Sequence, residues 1–552
     1  MRETPRAALW VLAVVLASTA GEAKEPPIDT LYLGGKVFTA DLARPWVEAF
    51  AIRGDRIAAV GSRKEIDRLA TAPVRRVELN GRTVIPGLND AHHHFVPEPP
   101  DQVDLASSDS LDWDGVVAAV ATAAARAPPG ATITGDIGLK SWWDPHATRS
   151  SLDPIAGDHP VLLTTFCGHG AVVNGAMLRR YGLGDSPADL PGGWYERSAD
   201  GRTSNGRLRE AAVLLLYHRQ AEGIDRPSRL DQLRKLVAAK LRRGWTSLQT
   251  MSTVPLAEMA QLAADAGAPL RIRVIRLPVN IEDDAEARGH PDLPRQFAPK
   301  VTVSGLKWFL DGTPCEQTNF IQGAFPDGKK PPRLYSPDQV RAMLETGERM
   351  HQQLLFHIAG SGGVEELLAA MESMPKVPWA SRRVRIEHGD GLWPSFFERA
   401  RRLGVVLVQN PAHLVLPPGI PAEALKNAYP DGPFDLLRSA LEARIPVALG
   451  TDGFDNPGLN VLFASTVTNN PSEALTREQA VPALTRGSAY AEFAEKEKGT
   501  LAPGMLADFV VLSKDVFTAP PPELSDVQSV LTVIGGKVVF DASAAQPAAT
   551  PR

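Results

Sequence analysis

Short apolar runs alternate with amphipathic stretches through the middle of this 552-residue chain. Eight runs are typical of buried strands, and helical patterns such as 364–371 and 394–403 lie between most of them. Successive strand–helix units give parallel sheets, so eight of them predict an α/β fold with a (β/α)8 TIM barrel over residues 84–496. The predicted strands are 83–92, 245–250, 270–277, 305–310, 354–358, 384–388, 405–409 and 447–450.

The two ends of the chain have another pattern, with short alternating runs separated by turn residues. This pattern is typical of antiparallel hairpins, and it occurs in residues 28–83 and 497–545. Residues 35–38 (GKVF) resemble residues 536–539 (GKVV). We therefore expect both ends to form one small β-sandwich domain. Residues 97–243 are too many for one barrel connection, so we expect an insertion after the first strand, placed over the barrel mouth as a lid or wall.

The net charge bears on the binding partners, and the two cysteines bear on a disulfide. A net charge of −5 gives no reason to expect nucleic acid or an anionic membrane. We expect a small-molecule substrate, and homo-oligomerisation stays open. Cys167 and Cys315 are the two cysteines. An oxidising compartment would allow a disulfide between them, whereas buried single cysteines are the common alternative.

Residues 1–23 have the outline of an export signal. Arg2 and Arg6 precede an apolar run at 7–17, and small residues follow it up to Ala23. The run is shorter than the roughly 20 residues that span a bilayer. We therefore expect signal cleavage, no stable membrane anchor, and a periplasmic or secreted protein, with an uncleaved anchor as the alternative.

Three consecutive histidines, His92, His93 and His94, follow the first apolar run. Side chains alternate along a strand, so His92 and His94 point to one face and His93 to the other. Two imidazoles on one face can bind a single transition-metal ion. A histidine-rich surface loop is the alternative.

Later strand ends add four candidates, and active sites of such barrels lie at these ends. Taken singly, His357 and His388 could be hydrogen-bonded core histidines, and Asp452 could cap a loop. Lys307 is harder to explain in this way, because a charged lysine among apolar neighbours is costly without a partner. Burial favours its neutral amine, which can react with carbon dioxide to give a carbamate, an anionic bridging ligand.

Taken together, these motifs resemble the metal-dependent amidohydrolase superfamily. Residues 85–95 are similar to its metal-binding signature, and the other motifs resemble its family 3 branch, with YtcJ-like proteins and N-substituted formamide deformylases. The resemblance covers roughly residues 28–545. The branch motifs are 305–313, 385–388, 409–414, 449–452, 160–163, Gly168 with His169, Asn174, Gly206 with Glu210, and 499–508.

The resemblance implies a metal cluster and a hydrolytic activity. One or two divalent ions are implied, and zinc is the expected metal, although imidazole and carboxylate ligands also accept other ions. Asp452 would lie beside the metal, accept the proton of the attacking hydroxide and return it to the departing nitrogen. The implied metal-site residues are His92 and His94 for one ion, His357 and His388 for the other, carboxylated Lys307 as the bridge, and Asp452.

His169, His413 and Trp308 are candidates for binding the substrate. Structural roles, as loop histidines or as a packed indole, are the alternatives. The sequence departs from the branch after His357, where the usual Gly-Asp is missing and the chain reads Ile-Ala-Gly. Asp390 or Glu387 are candidates for the orienting role of that acid.

These observations predict an exported, metal-dependent amidohydrolase that cleaves an amide-type C–N bond through a metal-activated hydroxide. An esterase or lactonase with the same metal site is the runner-up, because the motifs specify the nucleophile better than the leaving group. A metal-free binding protein on the same fold is the third hypothesis, and the intact ligand set argues against it.

Overall fold

The computed structural model describes most of the chain after its N-terminal segment. The expected signal, residues 1–23, lies outside the described part. Among the described residues, no helix combines the length and the apolar character that a membrane span requires. The described ranges are 26–70, 73–105, 108–415, 426–453 and 455–544.

Eight parallel strands form the centre of the molecule and pair in the order of the chain. The backbone amides of Thr451 and Asp452 donate to the His92 carbonyl at 3.1 and 2.9 Å, so the last strand end meets the first. The predicted α/β fold with an eight-stranded parallel barrel is confirmed, and this barrel is nearly closed. Its strands are β1 (Leu88–Phe95), β2 (Trp245–Ser252), β3 (Arg271–Arg276), β4 (Val301–Phe309), β5 (Leu354–Ile358), β6 (Arg385–His388), β7 (Val406–Gln409) and β8 (Val447–Leu449).

Helices cover the outer face of these strands. In β4, Leu306 and Trp308 pack with the helix residues Val340 and Leu344 in the main hydrophobic core. Alternate residues of a strand face opposite sides, so Lys307 lies on the inner face. The helices between and after the barrel strands are Leu256–Asp265, Asp284–Arg288, Pro337–Arg349, Ser361–Glu372, Trp379–Arg382, Pro394–Leu403, Leu437–Glu442, Pro457–Thr466, Arg477–Pro482 and Ser488–Ala491.

The first predicted strand, 83–92, is in fact two strands. Thr83–Pro86 pairs with the C-terminal strand Phe509–Leu512, outside the barrel, and β1 begins after it. Gly87 separates the two strands. Only glycine fits at this position, because a Cβ would lie 2.2 Å from the Thr246 hydroxyl oxygen. The apolar run therefore continues through a point where the chain passes from one sheet to another.

Strands from both chain ends form two further sheets, which pack face to face. The rings of Tyr32 and Phe50 in one sheet each lie 4.9 Å from the ring of Phe509 in the other, centroid to centroid. Helix Arg63–Asp67 packs on the first sheet. That sheet contains Thr30–Leu33, Ala49–Arg53, Arg56–Gly61 and Arg75–Glu78, and the second contains Lys36–Phe38, Trp46–Val47, Thr83–Pro86, Phe509–Leu512, Ser529–Ile534 and Lys537–Asp541.

The chain between β1 and β2 forms a six-stranded sheet with its own helices. Leu162 and Thr164 of this sheet line the same cavity as His94 and Asp452, so the sheet lies at the carboxyl ends of the barrel strands. The strands are Val103–Asp104, Ile133–Ile137, Val161–Thr165, Gly170–Val173, Gly193–Arg197 and Ser204–Glu210. The helices are Trp113–Ala124, Leu139–Trp142, Arg149–Ala156, Gly175–Arg180, Ala211–Gly223 and Arg226–Arg242.

A disulfide joins this segment to the loop after β4. It pairs Cys167 with Cys315, the pairing that the sequence leaves open. Next to it, the Glu316 carboxylate accepts hydrogen bonds from the hydroxyls of Thr165 and Thr313, one from each side of the junction. The segment is therefore attached to the barrel by a covalent bond and by buried hydrogen bonds.

Candidate metal centre

Two imidazole nitrogens face each other at the carboxyl end of β1. The Nε2 atoms of His92 and His94 are 3.2 Å apart. Two nitrogens that each lie about 2.0–2.1 Å from a tetrahedral metal ion are separated by roughly 3.3 Å. The spacing therefore fits a shared ion. His93 lies on the other face, close to Asp90 and Asp455.

His388 and Asp452 complete a group of ligand-bearing side chains with His92. Their ligand atoms all lie within 4.8 Å of one another. Asp452 Oδ1 is 3.8 Å from His92 Nε2 and 3.9 Å from His94 Nε2. His388 and Asp452 both have positive φ, 67° and 47°, which costs about 1–3 kcal/mol in a non-glycine residue and is typical of functional sites.

His357 and Lys307 are buried beside this group. The His357 ring lies 4.5 Å from the His388 ring, centroid to centroid. Neither His357 Nε2 nor Lys307 Nζ has a hydrogen-bond partner among the described residues. Buried polar atoms without partners are rare and costly, so two of them next to a histidine pair fit a bound metal with a modified lysine.

Burial keeps these side chains in the form that binds metals. It lowers the pKa of His94 to about 3 and holds the pKa values of His357 and His388 well below the usual value. Neutral imidazole is the ligand form of histidine. Burial also lowers the pKa of Lys307 to about 8, although nearby carboxylates act in the opposite direction.

Glu387 orients the His92 ring, since its Oε2 lies 2.5 Å from His92 Nδ1. Arg385 donates to both carboxylate oxygens of Glu387, at 2.6 and 2.9 Å. Burial alone would raise the pKa of Glu387, but Arg385 and His92 hold it well below its usual range. Glu387 thus leaves His92 Nε2 free for a metal. Asp390, the other sequence candidate, accepts a hydrogen bond from Tyr429 instead, at 2.6 Å.

Asp311 supports the loop that follows His357, where the usual acid is missing. Its carboxylate accepts hydrogen bonds from the amides of Phe320, Ala359 and Gly360 at 3.0, 2.9 and 2.7 Å. Burial raises the pKa of Asp311 to about 8, although these amides act in the opposite direction. Sequence reasoning missed this role, since Asp311 lies at the end of β4 and the loop that it supports follows β5.

Asn410 and His413 flank Asp452. Asn410 Nδ2 donates to Asp452 Oδ2 at 3.3 Å, and His413 Nε2 lies 3.8 Å from the same oxygen. Burial alone would raise the pKa of Asp452, but the surrounding histidines and Lys307 lower it to about 2. Asp452 is therefore ionised at neutral pH and directs Oδ1 toward the histidine pair.

His169 reaches the same place from the segment between β1 and β2. Its ring centroid lies 4.4 Å from that of His357 and 5.3 Å from that of Phe309. Its Nδ1 is 2.6 Å from Glu210 Oε2. Burial would lower the pKa of His169, but Glu210 raises it above the usual value. The structure thus brings both predicted substrate-binding histidines, His169 and His413, to the cavity.

Trp308 does not reach the site. Its side chain is buried in the main hydrophobic core, on the outer face of β4. The structure contradicts the prediction that Trp308 binds substrate, because Trp308 alternates with Lys307 and Phe309 along the strand. Phe309, which sequence reasoning missed, lines the cavity instead. The strand register could have identified it, since Phe309 shares the face of Lys307.

The site opens into a cavity of about 950 Å³. His94, His357, His388 and Asp452 lie at its base. A cavity of this volume is within the range of small-molecule sites. Its upper walls come from the segment between β1 and β2 and from the loops after β4 and β7.

Comparisons with known proteins agree with this description. Residues 75–540 match the sequence model of the amidohydrolase family. The Bacillus subtilis protein YtcJ, named an amidohydrolase, is 23% identical over 93% of this chain and 99% of its own length. The N-substituted formamide deformylase of Arthrobacter pascens is 25% identical over 93% of this chain and 98% of its own length. An uncharacterized metal-dependent hydrolase from Pyrococcus horikoshii has a similar fold, with a TM-score of 0.67 at 19% identity over 89% of this chain and 99% of that one.

Proposed function

Because this chain belongs to the amidohydrolase family, we propose that it is a metal-dependent hydrolase that cleaves an amide-type carbon–nitrogen bond. One observation carries the proposal. Two buried or half-buried imidazole nitrogens, of His92 and His94, face each other at 3.2 Å, with an ionised carboxylate of Asp452 next to them. The spacing fits a metal, and the carboxylate fits a proton carrier.

The metal would be held by the residues that lie together at the barrel mouth. When bound, a divalent ion polarises a carbonyl group and lowers the pKa of water toward about 7. Zinc is the expected ion, and one or two ions would be accommodated. The residues proposed to hold it are His92, His94, His357, His388, carboxylated Lys307 and Asp452.

Asp452 would move the proton. Its Oδ2 is engaged by Asn410, so Oδ1 is the oxygen that accepts a proton from the attacking water. The carboxylate then passes this proton to the amide nitrogen as the C–N bond breaks, because an amine leaves far more readily than its anion. His413, 3.8 Å from Oδ2, would help to keep Asp452 ionised.

His169 would stabilise the negative charge that develops on the substrate oxygen. Glu210 holds Nδ1 and raises the pKa of the ring, so a protonated His169 can donate from Nε2 into the cavity. A donor fixed in this way before the reaction is an effective means of lowering the barrier.

We further propose that residues 97–243 act as a wall over the site and that the two chain ends form a composite domain. We also propose an exported protein. The composition of residues 1–23 supports export, and so does the disulfide between Cys167 and Cys315, since disulfides persist in oxidising compartments.

A substrate panel tests the function. Purified metal-loaded protein would be assayed with N-acyl amino acids, formamides and aryl esters, before and after removal of metal by a chelator. We expect hydrolysis of at least one amide class, lost with the metal and restored when the metal is returned. Cleavage of esters alone would favour the esterase hypothesis, and no hydrolysis in any class would contradict the proposal.

A further inference from the structure

One arm of the cavity is lined by carboxylates. Glu98, Asp104 and Asp136 all line it, and in the described part of the chain none of the three forms an ion pair with a lysine or arginine. Their hydrogen-bond partners are neutral. Gln102 Nε2 donates to Glu98 at 2.8 Å and to Asp104 at 3.3 Å, the Thr134 hydroxyl also donates to Asp104, and the Thr164 hydroxyl donates to Asp136 at 2.8 Å.

The three carboxylates repel one another. Partial burial raises the pKa of Glu98, although all three acidic residues remain exposed to solvent, and the negative charges of Asp104 and Asp136 raise it further. Like charges gathered in one place destabilise a site unless a group of opposite charge joins them. The electrostatic field of this arm therefore favours a cation.

A buried acceptor lies in the same arm. Gln220 is 4% exposed and lines the cavity, and its Nε2 donates to the Pro97 carbonyl at 3.1 Å. Its Oε1 has no partner among the described residues. A buried amide oxygen without a donor is costly, so a ligand group that reaches this atom gains by donating a hydrogen bond to it. Tyr217 also lines this cavity, and an aromatic ring in a cavity wall is a favourable neighbour for a cation.

These features together favour one class of ligand, a positively charged group that donates hydrogen bonds. We define the acidic arm as Glu98, Asp104, Asp136 and Gln220, and all four side chains offer acceptors. An ammonium group carries positive charge, three donors and no acceptor. A carboxylate or phosphate ligand would meet only repulsion here.

We propose that the acidic arm binds a cationic group of the substrate, so that the preferred substrates are amides bearing a primary ammonium group at the end remote from the scissile bond. This proposal rests on the proposed function and names its substrate class. His94, at the base of the cavity, precedes Glu98 by four residues, and four extended residues span at most about 14 Å. This backbone span limits the separation of the two Cα atoms, so a linker of about six methylene groups between the ammonium and the scissile amide is a suitable first choice.

Binding of a ligand that resists hydrolysis tests the proposal independently of turnover. Wild-type metal-loaded protein would be titrated calorimetrically with N-(6-aminohexyl)methanesulfonamide and with N-heptylmethanesulfonamide, which has a methyl group in place of the ammonium. We expect the cationic ligand to bind about tenfold more tightly at low salt, and the difference to shrink at about 0.5 M salt.

Isosteric variants locate the effect. Glu98→Gln and Asp136→Asn should each weaken binding of the cationic ligand about threefold, and the double variant should weaken it about tenfold. None of the three variants should change binding of the neutral ligand. Glu398→Gln is the matched control. It removes one charge from a side chain that is 83% exposed on the helix Pro394–Leu403, outside the cavity, and should change neither ligand.

Turnover distinguishes this inference from the function on which it rests. We expect N-acetyl-1,6-diaminohexane to exceed N-acetylheptylamine in kcat/KM, and the double variant to abolish the difference. Equal binding of the two sulfonamides, or a preference that survives the double variant, would overturn the acidic arm as an ammonium site. Binding of calcium with no ammonium preference would overturn it as well. An ammonium preference without any amide hydrolysis would instead contradict the proposed function.

Discussion

Lys307 is the residue whose placement demands the most explanation. Its amine is fully buried at the barrel mouth, has no hydrogen-bond partner among the described residues, and has a pKa lowered to about 8 by burial. With this pKa about one amine in ten is neutral at pH 7, and only the neutral amine reacts with carbon dioxide. A carbamate here would replace a costly unpaired amine with an anionic metal ligand.

Removing that amine should therefore reduce metal binding. We expect Lys307→Ala to lose most of its metal after dialysis, and added bicarbonate to improve metal loading of the wild type but not of the variant. Lys307→Met, which keeps the side-chain length, should behave as Lys307→Ala does and so exclude a cavity effect. Metal analysis by mass spectrometry is the measurement. A variant with full metal content and normal turnover would show that the carbamate assignment is wrong.

Replacing Asp452 should have the opposite effect from replacing Lys307, because turnover should be lost while the metal is retained. Asp452→Asn keeps the size of the side chain and removes its ability to accept a proton, so kcat should fall by about 10²–10⁴ while KM changes little. Metal content, measured in the same preparation, should stay near that of the wild type because four histidines remain. An unchanged kcat would remove Asp452 from the proton-transfer step.

Single residues of the site were predictable to different degrees. His92 and His94 follow from strand alternation, and Asp452 follows from its place at a strand end. Glu387 was one of two candidates for the role of the acid that is missing after His357, and in the structure it contacts His92. Asp311 was not predictable, because its role depends on how loops that are distant in sequence pack together.

Among the secondary-structure elements, the helix Arg226–Arg242 has a role beyond covering the barrel. Its Lys240 is fully buried and donates to Asp90 at 2.6 Å and to Thr451 at 3.2 Å, and it forms an ion pair with Asp455. Asp90 also accepts a hydrogen bond from the Thr451 amide at 2.8 Å. This Lys240 cluster joins the ends of β1 and β8, where the barrel closes without a strand ladder.

Loss of the buried cation should destabilise the protein strongly. Lys240→Met leaves the carboxylates of Asp90 and Asp455 without a counter-charge, and breaking a buried pair in this way costs about 3–5 kcal/mol. Urea unfolding of metal-loaded protein measures the effect, and Lys240→Met combined with Asp90→Asn should recover part of it. A loss below about 1 kcal/mol would contradict a structural role for the cluster.

Most barrel strands could be predicted because each is a short apolar run with polar turns beside it. The first could not be bounded correctly, since Thr83–Pro86 and β1 are both apolar and only Gly87 separates them. The close approach of Thr246, which requires glycine there, is a tertiary contact that periodicity does not report. The outward direction of Trp308, by contrast, follows from its alternation along the strand with Lys307, the proposed metal ligand.

At the scale of the whole molecule, the segment between β1 and β2 completes the site by bringing His169 and Glu210 over the barrel mouth. The sequence indicated an insertion here but not its path, because that path depends on contacts between residues far apart in the chain. The Cys167–Cys315 disulfide spans 148 residues and is one of those contacts.

Opening this disulfide should lower the stability of the folded protein. A long closed loop contributes about 2–4 kcal/mol by restricting the unfolded chain. We expect reduction to lower the Tm of the wild type, and the Cys167→Ala and Cys315→Ala variants to match the reduced wild type in oxidising buffer. Calorimetry with and without reductant makes the comparison. Equal Tm values under all these conditions would mean that the bond contributes nothing to the stability of the folded protein.

The central claim is that the histidines at the barrel mouth hold a metal, and metal analysis tests it most directly. Wild-type protein and the His92→Ala/His94→Ala variant would be purified in parallel, dialysed against metal-free buffer and analysed by inductively coupled plasma mass spectrometry. We predict at least about one equivalent of a divalent metal in the wild type, since three or four protein ligands suffice for a site, and a clear loss in the variant. A wild type without stoichiometric metal, or a variant that retains it, would contradict the account and favour a metal-free binding protein on this fold.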